Sequence, residues 1–236
     1  MNLYMKKIFV IVVSVLFSMQ VMASVKTDVG GVKQPSVEWV HYLSVVEKAE
    51  IAARLAKDEY FRRKDAGTLH DKHQQREILF PASFIPIDST SDTNKSAAAV
   101  PSGGNISCSI NVQNPHAGSG PGGSTVVKAK SSGSCNYIHV VGTPPPTIGW
   151  DLTQVLLRVI GLGFPTMIDL QTAVHTRNSL NAVWSASSTQ VFHPSCINGS
   201  YSHFDLVYVT PPPGWVYTGP QPITIPNSAT ALVSNC

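Results

Sequence analysis

Charged residues are scarce in this sequence: Asp, Glu, Lys and Arg make up 13% of its 236 residues. The formal net charge is +3, and Lys6 and Lys7 near the N-terminus account for two of these charges. A nucleic-acid-binding protein needs a sustained basic surface, and the sequence has no such run outside one helical segment. The composition therefore argues against nucleic acid as a partner.

The sequence also lacks an apolar run long enough for a comfortable membrane span, which takes about 20 residues. A shorter run, Ile8 to Phe17, follows Lys6 and Lys7 and precedes Val-Met-Ala at residues 21–23. A basic start, a short apolar centre and small residues before a cleavage point are typical of a bacterial secretory signal peptide. We therefore predict that residues 1–23 are a signal peptide. The mature chain would be exported, to the periplasm or outside the cell, with no transmembrane segment.

Cysteine is rare, and no two cysteines have the C-x-x-C spacing of a zinc site. The four present are Cys108, Cys135, Cys196 and Cys236. An even number of cysteines in an exported chain favours disulfides, here two of them. Three pairings are possible. We favour Cys108 with Cys135 and Cys196 with Cys236, because each bond closes a modest loop that contains neighbouring strands.

Recognisable catalytic motifs are absent as well. No G-x-S-x-G elbow occurs between a strand and a helix. The glycine-rich run at 118–123 lacks the Lys-Ser/Thr pair and the helix of a phosphate-binding loop. Three carboxylates follow Gly104, namely Asp151, Asp169 and Asp205, which is a small supply for the acid pair of a glycoside hydrolase. We therefore predict a protein that is not an enzyme and holds no cofactor.

The first part of the mature chain has a helical pattern. From Ser36 to Gly67, apolar residues recur at helical spacing, with an N-cap at the start and three cations in the last turn. A second helical segment, Leu69 to Leu79, would fold back on the first before Pro81 stops it. We predict a helical region over residues 24–84, as one long helix or a helical hairpin. Its apolar stripe would pack on the rest of the protein or serve as a surface for a protein partner or for self-association.

Residues 85–104 are rich in small and polar residues, and we interpret them as a linker.

Beyond Gly104 the apolar period changes to two, which indicates strands. Seven or eight short strands with frequent turns favour an immunoglobulin-like β-sandwich over residues 105–236. The predicted fold is thus α+β, a helix or hairpin followed by a disulfide-stapled sandwich. The predicted strands are 107–113, 124–131, 135–142, 150–160, 166–177, 182–192, 201–209 and 223–225 with 231–233, of which 166–177 and 182–192 would form a hairpin.

Histidines offer one candidate chemistry. By strand alternation, His139, His175 and His203 lie on strand faces, and Asp205 shares a face with His203. Three imidazoles carried by strands can hold zinc or copper where they converge. A metal-dependent hydrolase or redox protein that uses these three histidines is therefore an alternative. We expect His203 and Asp205 to point outward.

Aromatic residues near predicted turns offer a second candidate, because exposed rings at the ends of a sandwich suit the recognition of protein or sugar. The proline-rich turn before Trp215 would display that ring, or the ring would instead close the end of the sandwich. The predicted binding residues are Trp150, Tyr201, His203, Asp205, Trp215 and Tyr217.

Together these patterns favour an exported, non-enzymatic interaction protein, a binding or accessory component of a secreted or periplasmic assembly that recognises protein or glycan. A structural subunit that associates through its helix is a further alternative.

Overall fold

The computed structural model describes residues 44–69, 77–87, 102–160 and 167–236. The predicted signal peptide and most of the predicted linker lie outside these residues. Within them the chain forms one helix and eleven strands. No helix in these ranges is both long enough and apolar enough to cross a membrane.

The strands form two antiparallel sheets. Sheet 1 contains, in order, β10, β1, β2, β4 and β3, with β7 and β8 also paired to β4, and sheet 2 contains β11, β9, β5 and β6. The elements are α1 (Val45–Asp65), β1 (Ile78–Pro86), β2 (Ser102–Val112), β3 (His116–Ser119), β4 (Thr125–Val141), β5 (Ile148–Ile160), β6 (Met167–Ser179), β7 (Ala182–Trp184), β8 (Gln190–His193), β9 (Gly199–Thr210), β10 (Trp215–Tyr217) and β11 (Ile223–Val233).

The 17-residue strand β4 organises sheet 1. Residues 127 and 128 of β4 pair with both β3 and β8. Residues 133–135 of β4 pair with both β2 and β7. Sheet 1 curls into a half-barrel. Large side chains from the two sheets fill the space between them, among them Phe84, Ile106, Trp150 and Trp184.

Both predicted disulfides are confirmed. Cys108 and Cys135 lie opposite each other on β2 and β4, are fully buried, and have Cα atoms 4.1 Å apart. Cys196, before β9, is bonded to Cys236, after β11, with Cα atoms 5.1 Å apart. Each bond ties together segments that are already neighbours, and the loss of such a bond typically costs about 2–5 kcal/mol.

Helix α1 covers the face of sheet 2 that points away from sheet 1. Ser44 and Glu47 form a capping box at its start, and Gly67, with a φ of 69°, follows its C-terminal end. The helix buries three residues against sheet 2, namely Ala52, Ala56 and Tyr60. Their contacts on the strands are Val155, Leu157, Phe204 and Leu206. The two alanines let the helix lie close to the strands. The layers are therefore helix, sheet 2 and sheet 1.

The predicted helical region is wrong in two respects. The helix begins at Val45, with Ser44 rather than Ser36 as its N-cap, and residues 36–43 lie outside the described residues. Residues 78–84, predicted to be helical in part, belong to β1, which pairs with both β2 and β10. The period there is two, since Ala82 and Phe84 point into the core while Leu79 and Pro81 are exposed.

The linker boundaries are also wrong at both ends, because β1 extends to Pro86 and β2 begins at Ser102.

The predicted hairpin of 166–177 with 182–192 does not form: β6 belongs to sheet 2, whereas β7 and β8 pair with β4 of sheet 1. A turn separates β7 from β8, in which the Ser185 carbonyl accepts hydrogen bonds from the N–H groups of Ser188 and Thr189.

A mostly β protein with antiparallel sheets, one described helix and two disulfides is confirmed. The immunoglobulin-like arrangement and the simple order of a helix followed by a sandwich are not.

Candidate functional site

Sheet 1 exposes aliphatic side chains on its outer face. Leu79 on β1, Ile138, Val140 and Val141 on β4, and Val183 on β7 are between 44% and 67% exposed. We call these five residues the outer patch. The corresponding face of sheet 2 is covered by helix α1, so the two sheets differ in what shields them. Aliphatic groups left in water on several neighbouring strands are typical of an interaction surface.

Strand register places the outer patch on adjoining rows. Ile138 lies opposite Asn105, and Asn105 lies opposite Pro81 on β1. Leu79 is one row further along β1, two residues from Pro81. Val183 lies opposite Ser134 on the other side of β4. Asn105, Ser107, Ser134 and Asn136 lie between them on these rows, so the aliphatic side chains belong to one sheet but alternate with polar residues.

A shallow cleft of about 570 Å³ adjoins this surface. Its walls come from residues 81–83 of β1, residues 103–105 of β2, Val140 with Val141, and the loop 218–220. None of these lining residues is charged. A Cβ atom on Gly104 would lie 2.3 Å from the carbonyl oxygen of Ile138, so only glycine allows β2 and β4 to approach each other there. The cleft therefore presents uncharged groups, both small apolar side chains and the polar side chains of Ser83, Asn105 and Thr218.

Two of the predicted binding aromatics are buried rather than displayed. Trp150 is in the core, where its indole N–H donates to the Ser179 carbonyl at 3.0 Å. Tyr201 is also fully buried, and its hydroxyl donates to the Ile197 carbonyl at 2.8 Å. Both residues lie on strands that are internal to sheet 2, which is why a position near a turn did not expose them.

The other two rings, Trp215 and Tyr217, lie on the short edge strand β10 and are half-buried. They pack against the core between the sheets, with the ring of Tyr217 5.1 Å from that of Phe84. Burial raises the pKa of Tyr217 well above its usual range. Contact with the core agrees with the alternative that Trp215 closes one end of the sandwich.

His203 and Asp205 point inward, which contradicts the predicted outward orientation. Both are buried between the sheets, and His203 Nε2 lies 3.0 Å from Asp205 Oδ1. Neither oxygen of Asp205 has a hydrogen-bond partner within the described residues, and the contact with the His203 imidazole is the ion-pair geometry in which this buried side chain takes part. Alternation correctly predicted that the two residues share a face. It could not show which face, because both faces of β9 are buried.

A polar network surrounds this pair. Gln154 donates to Ser131 Oγ at 2.8 Å, and its Oε1 lies 2.8 Å from His175 Nε2. His203 Nδ1 lies 3.2 Å from the Gln113 carbonyl. Burial lowers the pKa of His175, which favours its neutral form. The network joins the two sheets through hydrogen bonds.

The three histidines of the predicted metal site are not brought together in one site. His139 is exposed on β4, with its ring 6.4 Å from that of Tyr137, whereas His175 and His203 lie in the interior. Across the described ranges, no group of three His, Cys, Asp or Glu residues has an arrangement that could hold a metal ion. Alternation predicts that each histidine lies on a strand face, but it does not give the order of the strands. That order places His139 away from His175 and His203.

A second histidine and carboxylate pair joins β8 to β6. His193 is buried, and its Nε2 lies 2.7 Å from Asp169 Oδ2. The other ring nitrogen, Nδ1, lies 2.8 Å from the Ser195 carbonyl. Both ring nitrogens thus have partners within the protein, and the pair links sheet 2 to β8.

The outer patch was missed by sequence reasoning. Its residues come from three strands; Leu79 was predicted to end a helical segment, and the other four looked like ordinary strand residues in isolation. Val183 and Ile138 lie on strands whose other side chains, such as Trp184 and Tyr137, are buried. Only the order of strands shows that the exposed residues belong to the same sheet.

No family model matches the chain, and comparison with curated proteins and with solved structures finds no match either.

Proposed function

We propose that this protein is an exported binding protein that docks an apolar surface of a partner protein on the outer patch of sheet 1. The observation that carries this proposal is the contrast between the two sheets: helix α1 covers sheet 2, while sheet 1 leaves five aliphatic side chains exposed. Burial of such side chains by a partner removes apolar surface from water and favours association.

The chemistry of the outer patch favours a protein partner over a glycan. Sugar recognition uses exposed aromatic faces and directional hydrogen bonds. The patch instead consists of Leu, Ile and Val, and two of the aromatics expected to contact sugar, Trp150 and Tyr201, are buried. The adjoining uncharged cleft, whose glycines are half-buried, suits an extended segment of the partner.

Export forms part of the proposal. Two disulfides persist best in an oxidising compartment, and the N-terminal sequence has the features of a secretory signal peptide. The partner would then be a protein of the same compartment. Association through the apolar stripe of the helix is less well supported, because Ala52, Ala56 and Tyr60 are already buried against sheet 2.

The experiment is site-specific photo-crosslinking in the cell of origin. A benzophenone amino acid replaces Val140 in the outer patch, and in a second variant it replaces Arg54 on the exposed side of the helix. We expect one protein to be captured from position 140 and not from position 54. That protein is then purified, and its affinity for the wild-type chain and for variants is measured by calorimetry.

Val140→Lys should weaken this binding by about tenfold or more, because a buried interface residue becomes charged. Leu232→Lys is the matched control, since Leu232 is an aliphatic residue, 77% exposed, on β11 of the other sheet. Equal losses for both variants would refute the proposal. Cross-links from position 140 that reach only other parts of the same chain would also refute it, because the patch would then be covered from within.

A further inference from the structure

Strand β6 is an unusual sheet edge in this protein. The other edge segments that the structure describes are short or interrupted: β7 and β10 have three residues, β3 and β8 have four, and β11 changes register between Thr224 and Ser228. β6 has 13 residues and pairs with β5 in one unbroken register along its whole length. Its sequence contains neither proline nor lysine.

A long regular edge strand presents a row of backbone N–H and C=O groups to which another strand can add. Proteins usually protect such edges with proline, lysine, bulges or short strands, and the other edges of this protein show several of these devices. β6 differs from these edges, because it is long and regular and has neither proline nor lysine. Within the described residues β6 has a strand partner on one side only, namely β5, and such a strand is suited to pair with a further strand.

We propose that β6 pairs antiparallel with β6 of a second copy of this chain, about a two-fold axis at Ala173. The sequence of β6 is complementary to itself in this register. Ala173 lies opposite its own counterpart, where two small side chains fit at the axis. Gln171 lies opposite His175, and Thr172 lies opposite Val174. This is the isologous arrangement of a symmetric dimer.

The same register pairs opposite charges twice. Asp169 of one copy lies opposite Arg177 of the other, and the symmetry repeats the pair. Asp169 is 36% exposed, and one of its carboxylate oxygens contacts His193 of β8. Arg177 directs its hydrogen bonds to the carbonyl groups of Thr176 and Val183. Opposite charges on directly facing residues stabilise a strand pair, whereas like charges oppose it.

The first test places a cysteine at the axis. In the mature chain all four native cysteines are in disulfides, so Ala173→Cys introduces a single free thiol. Facing residues in an antiparallel pair have Cβ atoms about 4.5–5.5 Å apart, close to the separation that a disulfide needs. We expect oxidation to give a covalent dimer linked through position 173. Ser187→Cys, in the exposed turn between β7 and β8, should give no such dimer under the same conditions.

The second test changes the charge pair, with dimerisation measured by analytical ultracentrifugation. Arg177→Asp places two acids opposite each other at both ends of the interface and should weaken dimerisation by about tenfold or more. Arg54→Asp makes the same change of charge on the exposed helix and should leave dimerisation as it is. Asp169→Asn combined with Arg177→Asp removes the repulsion, keeps an oxygen for His193, and should recover most of the loss.

Circular dichroism of each variant confirms that it is folded before its association is compared. A wild-type chain that stays monomeric at high micromolar concentration, with no cross-link at position 173, overturns the proposal. A dimer that survives Arg177→Asp unchanged overturns it too. A position-173 cross-link to a different protein would assign the β6 edge to another partner and exclude pairing between two copies.

Discussion

Gln154 Oε1 lies 2.8 Å from Nε2 of His175 on the neighbouring strand, and the amide nitrogen of the same glutamine donates to Ser131 on the opposite sheet. One fully buried side chain thus links two strands of sheet 2 to sheet 1. The loss of such a link leaves several polar groups unpaired in the interior, and each unpaired group is costly.

Gln154→Leu should therefore lower the free energy of unfolding by about 1–3 kcal/mol, the cost of leaving buried partners unsatisfied. Urea denaturation measures the change. Gln171→Leu, the same substitution at a half-exposed position on β6, should cost much less. Equal effects of the two substitutions would show that the network contributes little.

The stability of the protein should depend on the protonation of His175. Burial, the largest cause, lowers the pKa of His175 in the folded state, while a hydrogen bond to the Gln190 backbone and the charge of Asp205 raise it and the charge of Arg177 lowers it. The unfolded chain therefore binds the proton more readily than the folded one. Stability should fall as pH drops from about 6.5, the usual pKa of histidine, towards the lower folded value.

This dependence can be measured as the free energy of unfolding between pH 4.5 and pH 7.5. His175→Gln should remove part of the decline on the acid side, because a neutral side chain takes its place. A variant profile that declines as steeply as that of the wild type would mean that other groups account for the decline.

The buried ion pair between helix and sheet offers a third prediction. Lys48 donates to Asp151 on β5, and both side chains are almost completely buried. Lys48→Met should cost about 3–5 kcal/mol, because it leaves the carboxylate buried with only Thr176 as a donor. Asp151→Asn added to Lys48→Met should recover much of this loss. Thermal and chemical unfolding of the single and double variants measures the coupling.

A matched control comes from the exposed pair on the same helix. Glu59 and Arg62 make a two-pronged contact, with Arg62 largely in water. Arg62→Met should cost far less than Lys48→Met, because an ion pair in water contributes little to stability. A loss as large as that of Lys48→Met would contradict the dependence on burial.

The two disulfides should differ in their resistance to reduction. Cys108 and Cys135 are fully buried, whereas Cys236 is exposed. A thiolate must reach a sulfur atom to attack it. Under native conditions, increasing dithiothreitol should therefore open Cys196–Cys236 first, as read by alkylation and mass spectrometry. Simultaneous loss of both bonds would indicate that the fold opens as a unit.

Two adjacent glycines should respond differently to substitution. Gly104→Ala forces a methyl group against the Ile138 carbonyl and should cost about 1–3 kcal/mol, as other overpacked positions do. At Gly103 the nearest atom is a side-chain carbon of Val141 at 3.9 Å, so Gly103→Ala should be tolerated. Comparison of the two melting temperatures tests the close approach of β2 and β4.

The sequence predicted features that depend on local pattern. The end of the helix near Gly67, the strands around Trp150 and Tyr208, and the pairing of the cysteines follow from periodicity, glycine placement and loop length. β1 was missed because Pro81 was interpreted as the end of a helix. In fact Pro81 lies within a strand, where it points outward and is exposed.

Features that depend on strand order could not be predicted. The interior position of His203 is one example. Helix α1 buries the second face of β9, so this strand lacks the usual alternation between a buried and a solvent-exposed face. The outer patch is another, because Leu79 and Ile138 are far apart in the sequence and come to lie in the same sheet only through β2, which pairs with both of their strands. Long-range pairing of this kind leaves no local signal.

Cys108 and Cys135 face each other directly across β2 and β4. A shift of either strand by one residue would turn one of the two sulfur atoms to the opposite face of the sheet. The bond can therefore form only when the strands are correctly aligned. Oxidation would then favour the correct register during folding. Chains with slipped strands would keep Cys108 and Cys135 reduced and could realign, whereas correctly aligned chains would form the disulfide.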